Sequence, residues 1–240
     1  MLELRNITYE VDDNNENKEI LKNVSVNIDD HFVAITGPNG GGKSTLAKMI
    51  AGIIRPTSGQ ILLDGEDITG LNITERARKG ISFAFQQPVH FKGLTVKDLI
   101  TIAAGKEMSV NEICDILSEV GLCAREYIDR EINGSLSGGE LKRIEIAMIT
   151  ARGTKLSIFD EPEAGIDLWS FSMLIEQFEK IHKEKKESLV LISHQERIIQ
   201  MADRIMVIED GKIASIGATD EILPQLLGKT ADSYSCLTCR

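Results

Sequence analysis

Apolar and polar residues alternate at the start of the chain, in Leu2-Glu3-Leu4-Arg5-Asn6-Ile7-Thr8-Tyr9. Such alternation predicts a strand with one buried face. The acidic, Asn-rich stretch from Asp12 to Asn17 predicts an exposed hairpin turn, and Ile20 to Ile28 predicts a second strand. Val33-Ala34-Ile35 is an apolar run that predicts a short buried strand.

Beyond residue 86 the pattern becomes helical and then alternates between strands and helices. Residues 87 to 135 show helical spacing, as in the run from Val96 to Ile102 and the run from Ile113 to Val120. The elements predicted after them are strand 156–160, helix 168–186, strand 189–193, helix 195–202 and strand 205–209. Strands that alternate with helices in this way predict a mainly parallel sheet. The polar stretch 229–240 predicts a flexible tail.

One segment combines a strand, a glycine-rich loop and the start of a helix. It reads Gly37-Pro38-Asn39-Gly40-Gly41-Gly42-Lys43-Ser44, which fits the pattern G-x-x-x-x-G-K-[ST]. Glycines allow backbone N–H groups to point at phosphate oxygens, and the start of a helix favours an anion. Lys43 supplies a charge for the β- and γ-phosphates, and Ser44 supplies a hydroxyl for Mg²⁺. A glycine-rich turn in an ordinary α/β protein is the alternative, which the strand and helix on either side of the loop disfavour.

A second glycine motif follows at Leu136-Ser137-Gly138-Gly139-Glu140. It resembles the LSGGQ signature of the ATP-binding-cassette (ABC) family, with Glu140 where glutamine is usual. Further segments resemble the remaining motifs in the family's order: the Q-loop at Gln86, Walker B and the catalytic glutamate at Leu156–Glu161, the D-loop at Ala164–Asp167 and the switch histidine at His194. The motifs cover about residues 33 to 211. Because the set is ordered, the chain is identified as a member of this family.

The resemblance implies an α/β fold, that of a P-loop ABC ATPase. Its parts would be a mainly parallel core sheet, an N-terminal antiparallel β subdomain and an inserted helical subdomain. Applied to a single domain over residues 1–240, this places the RecA-like and antiparallel β core at 1–86 and 141–228, the helical subdomain at 87–140 and the flexible tail at 229–240. A chain of 240 residues is long enough to bury the core of such a domain.

The resemblance also implies that the protein binds ATP with Mg²⁺ and hydrolyses it. Glu161, His194 and Gln86 are the expected catalytic residues, with Glu161 as the base or the group that orients water. The expected metal ligands are Ser44, Gln86 and Asp160. The residues expected to contact ATP are Gly37, Pro38, Asn39, Gly40, Gly41, Gly42, Lys43, Ser44, Thr45, Ser137, Gly138, Gly139, Asp167, Tyr9 and Val11.

Two of these expectations concern groups outside the phosphate loop. In the family the signature of one cassette closes over the ATP of a second, head-to-tail cassette, so Ser137, Gly138 and Gly139 would act across a dimer interface that includes Asp167. The family usually places an aromatic residue against adenine near the end of the first strand. Val11 is at the aligned position and Tyr9 lies on the same strand face, where it either stacks on adenine or only packs within the sheet.

Composition and charge limit which binding partners and which cellular compartment are expected. The net charge is −10 and the pI is about 5.0, with no broad basic stripe, so a nucleic-acid partner is not expected. No stretch approaches the roughly 18 apolar residues of a membrane span, and the start of the chain has no signal-peptide pattern, which predicts a cytoplasmic protein. Cys236 and Cys239 supply only two of the four ligands that a structural zinc site needs, so exposed thiols are favoured over a metal site.

A finer resemblance concerns the partner. The segment from Ala84 to Gly93 is similar to the AFQYPxxxPG segment of SufC, the ATPase of the Suf iron–sulfur cluster assembly system, although Lys92 replaces the usual proline. His194-Gln195-Glu196-Arg197-Ile198 is similar to the HYQR[IL] of the same proteins, whereas Leu136 stands where many of them have phenylalanine. These similarities favour a SufC-like subunit that works with a SufB/SufD-like scaffold.

Two other functions stay open. The first is the nucleotide-binding subunit of an ABC transporter, whose partner would be a transmembrane permease subunit. The second is a cassette that acts on chromosomes or ribosomes. Such chains usually carry long coiled coils or tandem cassettes, and the sequence shows no internal repeat, so this function is disfavoured.

Overall fold

The computed structural model describes residues 1–13, 16–87, 91–133, 135–184 and 188–235. The chain divides into two compact units, residues 1–72 with 191–240 and residues 73–190. The predicted α/β fold is confirmed, because the described residues form mostly parallel strands, a separate antiparallel sheet and helices. The second unit extends beyond the predicted helical subdomain 87–140 and includes the strand predicted at 156–160.

The first unit is built from both ends of the chain. Its elements are β1 (Leu2–Asp13), β2 (Glu16–Ile28), β3 (Phe32–Thr36), α1 (Lys43–Ile50), β4 (Ser58–Leu63), β5 (Glu66–Asp67), α8 (Glu196–Met201), β9 (Arg204–Glu209), β10 (Lys212–Ala218) and α9 (Thr219–Ser235). The antiparallel sheet has the strand order β2-β1-β4-β5, and a second group of strands has the order β10-β9-β3.

The β1–β2 hairpin departs from the predicted pattern in two ways. Alternation along β1 is interrupted after Leu4, where the register shifts and Asn6 adopts a φ of 51°. This bulge allows Ile7, rather than residue 6, to be the next buried side chain. The strands are also longer than predicted: Asp12 pairs with Asn17, so the turn is shorter than the predicted Asp12–Asn17, and residues 14 and 15 lie outside the described residues.

Strand β3 positions the glycine-rich loop. All five of its residues are buried, and it pairs in parallel with β9, with Val33 opposite Arg204 and Thr36 opposite Val207. An apolar strand buried on both faces is the usual arrangement in a parallel sheet, which explains why this run does not alternate. The loop that follows therefore starts at the carboxyl end of a fully buried, hydrogen-bonded strand.

The second unit contains the signature motif. Its elements are α2 (Ile73–Arg78), β6 (Ile81–Ala84), α3 (Val96–Ala104), α4 (Val110–Glu119), α5 (Ala124–Tyr127), α6 (Gly138–Arg152), β7 (Leu156–Asp160) and α7 (Leu168–Glu184). Strand β8 (Ser188–Ile192) crosses the boundary between the units at Val190. Strands β6 and β7 are parallel, with Ile81 opposite Leu156 and Ala84 opposite Phe159.

Sequence patterns explain where three of the helices begin. Helices α3, α4 and α6 each begin with a capping box, a Ser or Thr followed three residues later by an acidic residue: Thr95 with Asp98, Ser109 with Glu112, and Ser137 with Glu140. The helices predicted between residues 87 and 135 are confirmed, as are α7, β8, α8 and β9 to within a few residues at each end. Helix α9 continues through Ser235 into the predicted tail, while Cys236 and Cys239 lie outside the described residues.

Candidate functional site

The glycine-rich loop packs so closely on β9 that side chains are excluded. Gly37 has a φ of 132°, and a Cβ there would lie 2.1 Å from the carbonyl oxygen of Ile208. A Cβ on Gly41 would lie 2.8 Å from the same oxygen. Gly42, at the N-cap of α1, has a φ of 105° that favours glycine. The loop can adopt this conformation because these three positions are glycines. Gly40 is different, since a Cβ there would meet nothing within 4 Å.

Lys43 folds back over the loop. Its ammonium donates to the carbonyl oxygens of Gly37 and Pro38, each at 2.8 Å, and the residue is only 4% exposed. Ser44 and Thr45 are half-buried in the first turn of α1, which contains no acidic residue. The helix N-terminus and the Lys43 charge together favour an anion at this point. The loop therefore has the donor set that the phosphates of a nucleotide require.

His194 lies close to the loop in the same unit. It follows Ser193, whose buried N–H donates to the carbonyl oxygen of Ile35 at 3.1 Å. His194 and residues Thr36–Asn39 line one open pocket of about 680 Å³. The structure therefore brings together the phosphate loop and the predicted switch histidine.

The predicted adenine contacts lie on β1. Tyr9 is half-buried and Val11 is 38% exposed. Tyr9 pairs with Leu21, and a Cβ on Gly42 would lie 2.8 Å from the Leu21 side chain. Tyr9 therefore lies on the strand next to Leu21, the residue that packs against the loop. The contact of Tyr9 and Val11 with adenine stays a prediction.

In the second unit, Asp160 and Glu161 stand at the end of the fully buried strand β7, Asp160 as its last residue and Glu161 directly after it. Asp160 is buried, and Glu161 is half-buried with a φ of 46°, a left-handed conformation that is uncommon for a residue other than glycine. Gln86 donates from its amide nitrogen to the Glu161 carboxylate at 2.5 Å. Residues held in such a conformation are frequent at functional sites. The predicted Q-loop glutamine and the predicted catalytic glutamate are thus in direct contact.

A buried ion pair holds the peptide that precedes Gln86. Lys142 on α6 donates to the carbonyl oxygen of Phe85 and to the Glu145 carboxylate, the latter at 3.0 Å. Glu145 in turn accepts from the Phe85 N–H at 3.2 Å. Burial raises the pKa of Glu145, although Lys142 and the Phe85 N–H act in the opposite direction. Both polar groups of Phe85 are therefore fixed from the helix that carries the signature motif.

The signature glycines pack against the predicted D-loop. A Cβ on Gly138 would lie 2.9 Å from the carbonyl oxygen of Gly165, and one on Gly139 would lie 2.3 Å from the Ser170 hydroxyl. Asp167 accepts from the N–H groups of Trp169 and Ser170 at 2.9 and 3.0 Å and from the Ser170 hydroxyl at 2.8 Å. The Ser170 N–H makes the largest contribution to lowering the pKa of the Asp167 carboxyl. The structure thus brings the signature and the D-loop together in the second unit.

Ser137 begins α6 and is held by Glu140. The Ser137 N–H donates to the Glu140 carboxylate at 2.6 Å, and the Glu140 N–H donates to the Ser137 hydroxyl at 3.2 Å. Glu140 also accepts from the Tyr127 hydroxyl. Sequence reasoning missed Tyr127, Lys142 and Glu145, since no local pattern connects them to the residues that they contact.

Two absences hold for the part of the chain that the structure describes. No group of three or more His, Cys, Asp or Glu side chains there is arranged to hold a metal ion by itself. No helix in that part combines the length and the apolar character that crossing a membrane requires.

Comparison with known proteins identifies the family. The sequence profile described as ABC transporter matches residues 21–164, and the chain therefore belongs to this family of ATP-hydrolysing cassettes. It is 41% identical over 215 residues to MJ0035, an uncharacterised ABC transporter ATP-binding protein of Methanocaldococcus jannaschii, covering 86% of each chain. It is 35% identical to the energy-coupling factor transporter ATP-binding protein EcfA2 of Caldanaerobacter subterraneus, covering 84% of this chain and 73% of that protein.

A solved structure agrees with the fold. The ATP-binding cassette MJ0796, in a dimeric post-hydrolysis state bound to ADP and Pi, superposes with a TM-score of 0.82 at 27% identity. The match covers 91% of this chain and 99% of that chain. The predicted membership of the ABC ATPases is thus confirmed, whereas the finer similarity to SufC is not, since MJ0035 and EcfA2 both carry transporter names.

Proposed function

We propose that this chain is the ATP-binding and ATP-hydrolysing subunit of an ABC transporter and acts on the cytoplasmic side of the membrane. The observation that carries the proposal is the phosphate loop, in which Lys43 is buried over the backbone of Gly37 and Pro38 at the start of α1. The names of the relatives support the transporter over the SufC-like subunit, so the order of the two predictions is reversed.

The residues of the loop fit the triphosphate of ATP. Gly37 to Thr45 would hold the phosphates, with Lys43 turning from the loop carbonyls to the β- and γ-phosphates. Ser44, Asp160 and Gln86 would hold Mg²⁺, which supplies charge neutralisation at the transferring phosphoryl group. These donors are the hydroxyl, carboxylate and amide oxygens that Mg²⁺ prefers.

Glu161 would orient the attacking water and accept its proton. Gln86 holds the Glu161 carboxylate at 2.5 Å in the structure, so the carboxylate has to exchange this partner for water before it can act. His194, on the rim of the pocket beside the loop, would stabilise the transferring group. The chemistry is therefore assigned to three side chains that each lie within two residues of the end of a strand.

The signature would act on a second copy of the chain. ABC cassettes form ATP-dependent dimers, and the similar cassette MJ0796 is dimeric with ADP and Pi bound. In a head-to-tail pair, Ser137, Gly138 and Gly139 would bind the γ-phosphate held by the partner protomer, with Asp167 in the same interface. ATP binding then closes the dimer and hydrolysis opens it, which moves the attached subunits.

The test compares two lysines of the same helix. Lys43→Ala removes the buried charge and should weaken MgATP binding by at least about tenfold, since a charged hydrogen bond contributes about 1.5–3 kcal/mol. Lys48→Ala, on the last turn of α1, should bind as the wild type does. Nucleotide affinity is measured with a fluorescent ATP analogue and hydrolysis by phosphate release. Equal affinity and turnover in the two variants would contradict the proposed phosphate site.

A SufC-like role is the second candidate, favoured by the sequence from Ala84 to Gly93 and by His194 to Ile198. Pro88, Val89 and His90, on which part of this similarity depends, lie outside the described residues. Purification of the tagged protein from its own cells separates the candidates. A permease subunit recovered from detergent-solubilised membranes supports the transporter. A stoichiometric SufB/SufD-like scaffold recovered from the cytosolic fraction without detergent would contradict it.

A further inference from the structure

Glu140 differs from the glutamine that is usual at the last position of the signature, and its charge is well accommodated. The carboxylate closes the capping box with Ser137, accepting from the Ser137 N–H at 2.6 Å while the Glu140 N–H donates to the Ser137 hydroxyl at 3.2 Å. A capping box fixes the rotamer and the backbone of the residue at the N-cap. The Glu140 carboxylate thus holds the Ser137 backbone and the Glu140 N–H holds the Ser137 hydroxyl, so the two residues are fixed as one unit.

Two side chains from outside α6 hold that carboxylate. The Tyr127 hydroxyl, at the end of α5, donates to one Glu140 oxygen. The Arg130 guanidinium lies 3.6 Å from the same oxygen, and Glu140 is 17% exposed while Arg130 is 34% exposed. Arg130 also donates to the carbonyl oxygen of Ser135 at 3.1 Å and lies 5.3 Å from the centroid of the Tyr127 ring. Arg130 thus contacts the Tyr127 ring, the Glu140 carboxylate and the backbone of Ser135, which leads into the signature.

The charges in this cluster favour an ionised Glu140. Burial raises the pKa of the Glu140 carboxyl, but the hydrogen bonds from Tyr127 and Ser137 and the charge of Arg130 together lower it below its ordinary value. The hydrogen bond to Glu140 raises the pKa of Tyr127, so the phenol keeps its proton and stays a donor. A charge-assisted hydrogen bond of this kind is about twice as strong as a neutral one.

We propose that Tyr127 and Arg130 are positioning residues for hydrolysis: they fix the Glu140 carboxylate, which in turn orients Ser137 toward the phosphate of a second protomer. This inference rests on the proposed trans-acting role of the signature. It adds two residues from the preceding helix and its following turn to the machinery, and it explains how an acid replaces the glutamine. Each acts through Glu140, which both of them contact.

The experiment measures hydrolysis and nucleotide affinity separately. Tyr127→Phe removes only the hydroxyl and should lower kcat by about tenfold, the size expected for one charge-assisted hydrogen bond. Arg130→Gln removes the charge of an ion pair whose atoms lie 3.6 Å apart and should lower kcat by about threefold to fivefold. The affinity of the monomer for the fluorescent ATP analogue should stay within about twofold, since the phosphate loop of the same chain is unchanged. Arg125→Gln, an exposed residue of the same helix α5, is the matched control and should keep the wild-type kcat.

A second background tests whether the effect passes through Glu140. Glutamine at this position can still close the capping box but carries no charge that needs a cation. In protein that carries Glu140→Gln, adding Arg130→Gln should therefore change kcat by less than about twofold. The same loss from Arg130→Gln in both backgrounds would overturn the proposal, as would a wild-type kcat in Tyr127→Phe and Arg130→Gln.

The same assay separates this proposal from the function on which it rests. Ser137→Arg should abolish hydrolysis while leaving the monomer's nucleotide affinity unchanged. If Ser137→Arg hydrolyses ATP normally, the trans-acting signature itself is wrong. If Ser137→Arg is inactive but Tyr127→Phe and Arg130→Gln are not impaired, only the positioning role fails.

Discussion

Lys142 and Glu145 form an ion pair whose loss should destabilise the second unit in a characteristic, non-additive way. Their side chains are 2% and 19% exposed, and the Lys142 nitrogen lies 3.0 Å from the Glu145 carboxylate. Removing one partner of a buried pair leaves an uncompensated charge and costs about 3–5 kcal/mol. We expect Lys142→Met to lower the free energy of unfolding by about 3 kcal/mol, the lower end, because water reaches Glu145.

The double variant should be more stable than this single variant. Replacing both charges, with Lys142→Met and Glu145→Leu together, removes the unpaired charge and leaves only the Phe85 peptide without its partners. Each of the two Phe85 backbone groups then loses one hydrogen bond that contributes about 1 kcal/mol, so the expected loss is about 2 kcal/mol. Urea unfolding followed by far-ultraviolet circular dichroism measures both values. A double variant that is no more stable than Lys142→Met would refute the uncompensated charge as the cause of the loss.

The pH dependence gives an independent check on the same pair. The pKa of Glu145 is raised above its ordinary value of 4.5, so the protonated acid favours the folded state and stability is lost as the pH rises through the folded pKa. Lys142→Met removes the cation that opposes this shift. The destabilisation should therefore be smaller at acidic pH than at about pH 8. Lys183→Met, which breaks the exposed pair with Glu179, is the control and should change stability little at either pH.

Two further predictions concern the glycines and the signature. Gly37→Ala should abolish nucleotide binding, because its Cβ would lie 2.1 Å from a backbone oxygen that cannot move aside. Gly40→Ala meets nothing within 4 Å and should cost only the roughly 1 kcal/mol of a left-handed alanine. Equal ATP affinity in the two variants would contradict the packing of the loop. Ser137→Arg should leave ATP binding to the monomer intact and prevent the nucleotide-dependent dimer in size-exclusion chromatography, and a normal dimer would contradict a signature that acts in trans.

Most of the strands and helices that the sequence predicted have an uninterrupted local pattern. Strand β3 and the loop after it were predictable because an apolar run, three glycines with forced geometry and a helix start follow one another within a few residues. The bulge at Asn6 was not, since its register depends on β2 and β4. Helix α9 was also missed, because Pro224 interrupts its pattern.

The parts of the candidate site that the sequence could not supply depend on contacts between distant residues. Lys142 and Glu145 lie about 60 positions after Phe85, whose peptide they hold, so no local pattern connects them. Tyr127 and Arg130 precede the signature by nine and six residues and would read as an ordinary helix end. Glu140 alone was visible, as a departure from glutamine, and the structure supplies the reason that its charge is tolerated.

In the proposed mechanism, two copies of this chain close around ATP, and Glu161 is needed only to break the bond between the β- and γ-phosphates. Glu161→Gln, incubated with MgATP and passed over a size-exclusion column, tests it most directly, because removing the base leaves the phosphate contacts intact. We expect a dimer that carries two unhydrolysed ATP molecules, while Glu161→Gln combined with Ser137→Arg stays monomeric. A Glu161→Gln variant that turns ATP over at the wild-type rate, or that stays monomeric with ATP bound, would contradict the claim.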